Sequence, residues 1–427
     1  MAGAPPLYDG SSERRAPADQ ATVRRNNLGL VLRHLRDHGP RSRARIAQET
    51  GLNKATVSSL VAELAERRLI SAGEVDRAGS VGRPGLIVHL DGRCVCGIGV
   101  ELNVDYAAAL VLDLRGEVLF EQRLALDIPA LGAGPTLDAV AGLVRAAVAA
   151  AAAAGARPAG LTVAVAGLIR SVDGVVTLAP NIGWRDVAVL DALRARLDLD
   201  FPVRVENDAN LSAIAEWAMG SEARTPDLVY LTGEVGVGGG VIVAGRLLRG
   251  AGGLSGEVGH TSLGDPDVVC GCGRRGCWET VVGLSALLRA AADPGDPVRD
   301  HGRDLETRLA EVARRAEAGD ARTLTALRQV GTSLGTGAAV LINIFNPRVV
   351  LLGGYFAVLG RFLMESLLAE LESRVLGPDM AGARVVLSTL GFTAAVRGGA
   401  HVVLESVFDD PTLAPTPVLE PAGVELR

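Results

Sequence analysis

Lysine is nearly missing from this chain: Lys54 is the single lysine among 43 basic residues. Aromatic residues make up only 3% of the sequence against 53 glycines, which suits an α/β protein with many tight loops better than a β-sandwich. No apolar run reaches the ~18 residues that a membrane helix needs. The longest, around Leu143 to Ala154, is mostly alanine and is interrupted by Arg145, so it reads as a helix of a soluble protein with no membrane partner. The first 22 residues are polar and rich in Pro and Ser, without the apolar core of a secretory signal, and read as a disordered tail. A cytoplasmic location, where thiols stay reduced, is the corresponding expectation.

With 427 residues and 48% hydrophobic content, the chain is long enough for two or three domains with sizeable cores. Its charge is divided unevenly. Residues 1–93 hold 15 basic and 10 acidic side chains, whereas the remainder holds 28 and 39. A basic front on an acidic body is expected when only one end meets nucleic acid.

That front has the spacing of a helix-turn-helix. Leu28, Val31, Leu32 and Leu35 recur at helical intervals up to Gly39-Pro40, and Ser42 stands where a second helix would be capped. Ala47 is small enough for close helix approach, Gly51 takes the turn, and Val57 plugs the angle between the helices. Arg43, Asn53, Lys54, Thr56, Ser58 and Ser59 are the candidate contacts to bases and phosphates. Residues 71–91 read as a two-stranded wing whose tip, Gly79 to Gly85, carries Arg83 for a narrow minor groove. The segment 23–92 is therefore read as a winged helix-turn-helix domain with operator DNA as partner.

Further on, His260, Cys270, Cys272 and Cys277 follow at gaps of ten, two and five, interleaved with Gly271, Gly273 and Gly276. Four N/S donors on a sharply turning backbone are what a tetrahedral structural Zn²⁺ site requires. Cys270 and Cys272 are too close in sequence to bridge easily. Elsewhere the body alternates apolar strands with turn signals and crossover helices, and does so twice. It includes a meander over 95–126, a helix over 137–154, a strand at VRVEN running into a helix at Asp208, a glycine-rich turn at 236–240, and a strand at 349–354. This pattern points to two α/β lobes with a cleft between them.

The ordered motifs VENDAN (205–210), RGAGGLSGEVGH (249–260), CGCGRRGCWE (270–279, here with Trp278) and NIFNPRVVLLGG (343–354) resemble the ROK family of bacterial repressors and sugar kinases. With the helix-turn-helix in front, the likeness is to its repressor branch, of xylose-repressor and NagC type. The resemblance implies an actin-like, ribonuclease-H-like domain over 93–410, followed by a tail at 411–427. It also implies a sugar in the cleft, held by Asn207, Asp208, Glu257, His260 and Glu279, with Asn181 beside them. His260 would then serve metal and sugar through its two ring nitrogens.

Asp208 occupies the position of the kinase base, but the phosphate loops depart from the family's kinases. Where those carry Asp-x-Gly-Gly-Thr, this chain has Glu101-Leu102-Asn103-Val104-Asp105, and where they carry Gly-Thr-Gly it has Glu234-Val235-Gly236. Carboxylates facing a triphosphate are unfavourable by ~1 to 4 kcal/mol per close pair. The expectation is a sugar-responsive repressor without catalysis, acting as a homodimer or dimer of dimers on a palindromic operator. The alternative is an ATP-dependent, zinc-containing sugar kinase that retains a DNA-binding domain.

Overall fold

The computed structural model describes residues 19–75, 86–300, 302–377 and 382–415. Its first helix, Gln20–His38, begins earlier than the apolar spacing indicates, because the Asp19 carboxylate accepts the Thr22 N–H at 2.7 Å and caps it. Residues 20–22, expected in a tail, belong to this helix. Helices Arg43–Thr50 and Lys54–Glu66 follow, joined through Gly51 in the left-handed conformation (φ 76°). Ser42 has the extended backbone of an N-cap but makes no capping bond, whereas Asn53 accepts the Thr56 N–H at 2.7 Å. Leu28, Leu32, Ile46, Ala47, Val57 and Leu60 converge in one core, with Val57 fully buried between the helices. Strands Ile70–Val75 and Leu86–Leu90 pair antiparallel, with Arg41–Ser42 on the outer edge of Leu86–Leu90. The wing tip with Arg83 lies outside the described residues.

Two five-stranded sheets form the body. In the first, the order is Val203–Asn207, Arg157–Val165, Val95–Leu102, Tyr106–Asp113 and Val118–Ala125. The first three strands run parallel and the last two continue as the expected antiparallel meander. Helix Ala133–Ala153 is apolar and long enough to cross a membrane by composition alone, yet Leu137, Val140, Val144, Ala147 and Ala151 are buried in this lobe's core. The second sheet has the order Arg246–Leu247, Val237–Val243, Leu228–Gly233, Val349–Gly354 and Arg384–Leu387. Helices Leu284–Ala291, Ala321–Phe345 and Gly360–Arg374 supply its main core.

The glycine run expected as a turn is largely strand: Gly238, Gly239 and Gly240 lie within Val237–Val243, and only Glu234 to Gly236 turn. The reason is packing. A Cβ on Gly238 would stand 2.8 Å from the Ala209 Cβ, and one on Gly240 would overlap Ala213. These glycines let the helix Asp208–Met219 press directly on the sheet.

Helix Ala394–Asp409 ties the parts together. A Cβ on Gly99 would overlap the Val396 carbonyl, one on Gly398 would overlap the Leu211 carbonyl, and one on Gly29 would come within 2.6 Å of the Phe408 carbonyl. The helix therefore touches the first sheet, the helix that starts at Asp208, and the first helix of the DNA-binding module. Val396, Ala400, Leu404 and Phe408 share a core with that module, as does Ala414, which was expected in a tail. Residue 93 thus divides sequence patterns without dividing the packing.

Candidate functional site

The second lobe positions the cysteines on a loop held by its own backbone. The Cys270 N–H donates to the Arg274 carbonyl at 2.8 Å, and Gly273 and Gly276 take positive φ angles of 87° and 70°. One ligand atom each from His260, Cys270, Cys272 and Cys277 comes within 4.8 Å of the others. The Cys272 and Cys277 sulfurs lie 3.7 Å apart, and the Cys270 sulfur lies 3.7 Å from His260 Nδ1. Zinc–sulfur bonds of about 2.3 Å at tetrahedral angles give sulfur–sulfur edges of about 3.8 Å, whereas a disulfide measures about 2.05 Å. The donor set therefore fits a structural zinc ion and not a disulfide. Bound there, the ion would cross-link the loop to the turn Val258–His260.

Glu279 closes against this cluster. Its Oε1 is 2.7 Å from the Cys270 sulfur and 3.7 Å from His260 Nδ1. Asn181, on the turn Pro180–Ile182 of the first lobe, reaches the same place. Its amide nitrogen and Glu279 Oε2 each lie 2.7 Å from the position of a Cβ on Gly236. Asn181 and Glu279 thus meet across the lobes beside the metal loop.

Asn207 and Asp208 sit where strand Val203–Asn207 becomes helix Asp208–Met219. Asn207 caps that helix, its Oδ1 accepting the Asn210 N–H at 3.0 Å while its Nδ2 donates to the Gly167 carbonyl at 3.1 Å. One amide proton and one lone pair remain for a ligand. Burial raises the Asp208 carboxyl to about 6. Glu257 is raised to about 7, first by burial and then by the nearby charges of Asp208 and Glu279. Asp208 and Glu257 thus lie close enough to interact, and burial raises both carboxyls above the ordinary range.

The segments 101–105 and 234–236 meet between the lobes. The Asn103 amide donates to Glu101 Oε1 at 3.2 Å and also to Glu234 Oε2, bridging the lobes. The Tyr106 hydroxyl donates to Glu101 Oε1 at 2.7 Å, and Arg123 stacks 3.8 Å over the Tyr106 ring. Burial first, and then the charge of Asp208 on Glu101 and the charges of Glu101 and Asp208 on Glu234, raise both glutamates above the ordinary carboxyl range. Neither Tyr106 nor Arg123 stood out in the sequence. Their only signal is that a tight turn returns the chain so that the strand ends at Leu102 and Ala107 pair.

On the module, Arg43, Asn53, Lys54 and Ser58 are exposed, and Thr56 is partly so. Lys54 makes no ion pair among the described residues. Ser59 is engaged instead by Arg24, whose Nη2 donates to its hydroxyl at 3.2 Å while the same guanidinium pairs with Glu63. The Asn53 carbonyl is occupied as a cap, leaving its amide nitrogen free to face outward.

The ROK family profile matches residues 97–406, and that of the MarR family matches residues 29–79. The chain belongs to the ROK family. It is 30% identical over 408 residues to the xylose repressor of Caldicellulosiruptor bescii, an alignment covering 91% of this chain and 98% of that protein. A crystal structure of a ROK family transcriptional regulator, a homologue of the E. coli MLC protein, superposes with a TM-score of 0.72 at 25% identity, covering 91% of this chain and 97% of that one. A ROK family glucokinase from Streptomyces griseus, in complex with glucose and AMPPNP, gives a TM-score of 0.61 at 28% identity. It covers 72% of this chain and 98% of its own. The chain is thus a ROK-family transcriptional regulator with a MarR-like DNA-binding domain, resembling the xylose repressors, and its two lobes have the actin-like ROK architecture.

Proposed function

We propose that this ROK regulator is a repressor released from its operator by a sugar bound between the lobes. The observation that carries the reading is the unbroken packing from cleft to DNA-binding module. The helix that begins at Asp208 meets Gly398 through Leu211, and Phe408 at the far end of that second helix meets Gly29. Asn207, Asp208, Glu257, His260 and Glu279, with Asn181, hold the sugar hydroxyls through their carboxylate, amide and imidazole groups. Zinc held by the cysteines and by His260 through Nδ1, the ring nitrogen nearest Cys270, would leave Nε2 to donate to the ligand. Carboxyls raised toward neutral pH suit hydroxyl ligands, since a protonated carboxyl both donates and accepts.

Sugar shifts the lobe arrangement, and the Ala394–Asp409 helix carries that shift to the recognition helix Lys54–Glu66 of each subunit in a two-fold homo-oligomer. Release requires the sugar to favour the DNA-free form by ~1 to 3 kcal/mol. Asn53, Lys54, Thr56, Ser58, Arg43 and Arg83 make the DNA contacts, with Ser59 at their margin.

ATP has no place in this reading, because Glu101 and Glu234 occupy the phosphate loops and Asn103 bridges them. One observation favours the kinase alternative: Asp208 is raised to about 6, as suits a general base. Two assays decide. Fluorescence anisotropy on the chain's own upstream DNA, against a panel beginning with D-xylose, is expected to give sugar-dependent release, and unchanged occupancy across the panel contradicts it. Incubation with ATP, Mg²⁺ and the same panel is expected to give no turnover, and turnover at enzymatic rates contradicts the repressor-only reading.

A further inference from the structure

A cavity of about 830 Å³ opens beside the cleft, bounded by both lobes and by Val402 of the Ala394–Asp409 helix. Its chemistry begins with strand alternation. Val203 and Val205 point into the lobe core, so Arg204 and Glu206 take the opposite face, where Arg204 is in register with Thr162 of the neighbouring strand. Arg246 and Arg249 approach from the second lobe, and Arg170 from the short strand Leu168–Arg170 of the first.

The four guanidiniums are not equivalent. Arg170 is neutralised by Asp173 at 2.9 Å and Arg249 by Glu206. Arg204 and Arg246 have no carboxylate partner among the described residues, so the cavity carries an uncompensated charge from two arginines. Thr162 supplies an independent observation. It is 1% exposed, lines the cavity, and its hydroxyl has no hydrogen-bond partner among the described residues. A buried hydroxyl without a partner is costly, and an oxygen acceptor in the cavity would satisfy it.

We propose that this cavity binds a phosphate monoester or free phosphate, at a site separate from the cleft donors. Two forked cations match a dianion with several acceptor oxygens, and arginine engages phosphate bidentately. The bound anion acts on the cleft through Glu206. That carboxylate accepts the Asn207 N–H at 3.0 Å and the Asn210 amide at 3.3 Å through Oε1, while Oε2 holds Arg249. A phosphate that draws Arg249 toward itself loosens a group bonded directly to the cap at Asn207. Arg249 also begins the segment that continues to Glu257 and His260. The site goes beyond the sugar-responsive reading and does not rest on it.

The test uses the full chain without DNA or sugar. Thermal melting is followed with inorganic phosphate, with glucose 6-phosphate and with glucose, at ionic strength matched by sodium chloride. The comparison proteins are Arg204→Ala/Arg246→Ala and the control Arg185→Ala/Arg289→Ala, which removes the same charge elsewhere. Wild type and control are expected to melt about 2 to 4 °C higher with saturating phosphate or glucose 6-phosphate. Calorimetry is expected to give at least about tenfold weaker binding in the Arg204/Arg246 variant. Tighter binding of glucose 6-phosphate identifies a phosphorylated sugar as the ligand source, and tighter binding of inorganic phosphate identifies the free ion. Absence of a shift in wild type, or an equal shift in the Arg204/Arg246 variant, overturns the proposal.

Discussion

Replacing Glu234 with Gln tests the interpretation of the altered phosphate loops most directly. In the wild type one amide group, on Asn103, serves carboxylate oxygens of both Glu101 and Glu234. Oxygens sharing one –NH₂ lie about 4 to 5 Å apart, where two full charges at an effective dielectric near 20 repel by about 3 to 4 kcal/mol. The pair therefore retains protons in the folded state at a pH where the unfolded chain has lost them. The sign follows from linkage. A carboxyl raised on folding stabilises the protein most below its ordinary value of 4.5, and that contribution disappears as pH climbs through the folded value. Wild type should accordingly lose stability between mildly acidic and mildly alkaline pH.

Gln keeps the size and can still accept from Asn103 but cannot ionise. E234Q should therefore match wild type near pH 5 and exceed it near pH 8.5 by about 1 to 3 kcal/mol, after allowance for relaxation and water entry. For lobes of this size that corresponds to about 2 to 12 °C in melting temperature. Differential scanning fluorimetry across that range, on both proteins in one buffer series, reads the difference while other titrating groups cancel. An E234Q protein that melts at or below wild type in alkaline buffer, or whose curve runs parallel to wild type throughout, refutes the buried-pair account.

Purified protein should contain one zinc per chain by atomic absorption, and Cys272→Ser should lose it. Chelation should lower the melting temperature and abolish sugar response together, because His260 belongs to the metal-ligand cluster and to the proposed sugar site, and normal sugar binding by chelated, folded protein contradicts that coupling. Gly337→Ala should destabilise by about 1 to 3 kcal/mol despite alanine's better helix propensity, because its methyl would overlap the Trp278 ring. A neutral or stabilising result in thermal melting would mean that the indole is not seated against helix Ala321–Phe345. Lys54→Ala should weaken binding to upstream DNA severalfold and flatten its salt dependence while leaving sugar affinity unchanged, and an unaltered salt slope removes Lys54 from the phosphate contacts.

Residues were legible in the sequence where one local pattern fixed their environment. Ala47, Gly51 and Val57 identify the helix-turn-helix because a tight turn tolerates few alternatives, and each stands as its spacing requires. The metal donors were equally legible, since three cysteines among glycines have little else to do. Gly238 to Gly240 were misread because glycine serves both turns and close packing, and only the partner helix at Ala209 and Ala213 tells the two apart. Glu206 was hidden for a different reason. It lies inside the VENDAN motif, but its partner Arg249 is 43 residues away, and no local spacing connects them. The limits of the first helix depended on a cap at Asp19, ahead of the apolar residues that reveal the helix.

The same distinction applies to the proposed ligand response, which would run through contacts that no single motif records. The recognition helix is specified locally, and so is the turn at Asn207-Asp208. What joins them is a helix that approaches three neighbours more closely than a side chain allows, at Gly99, Gly398 and Gly29. Close packing without intervening side chains leaves little compliance, so a displacement of the Asp208 helix passes into the Ala394–Asp409 helix with little loss in local rearrangement. An alanine at Gly398 must force these helices apart at Leu211. It should therefore change the sugar dependence of DNA binding more than it changes either binding event alone, which anisotropy and calorimetry on the same preparation distinguish. Equal losses in sugar and DNA affinity with the coupling intact would place the transmission elsewhere.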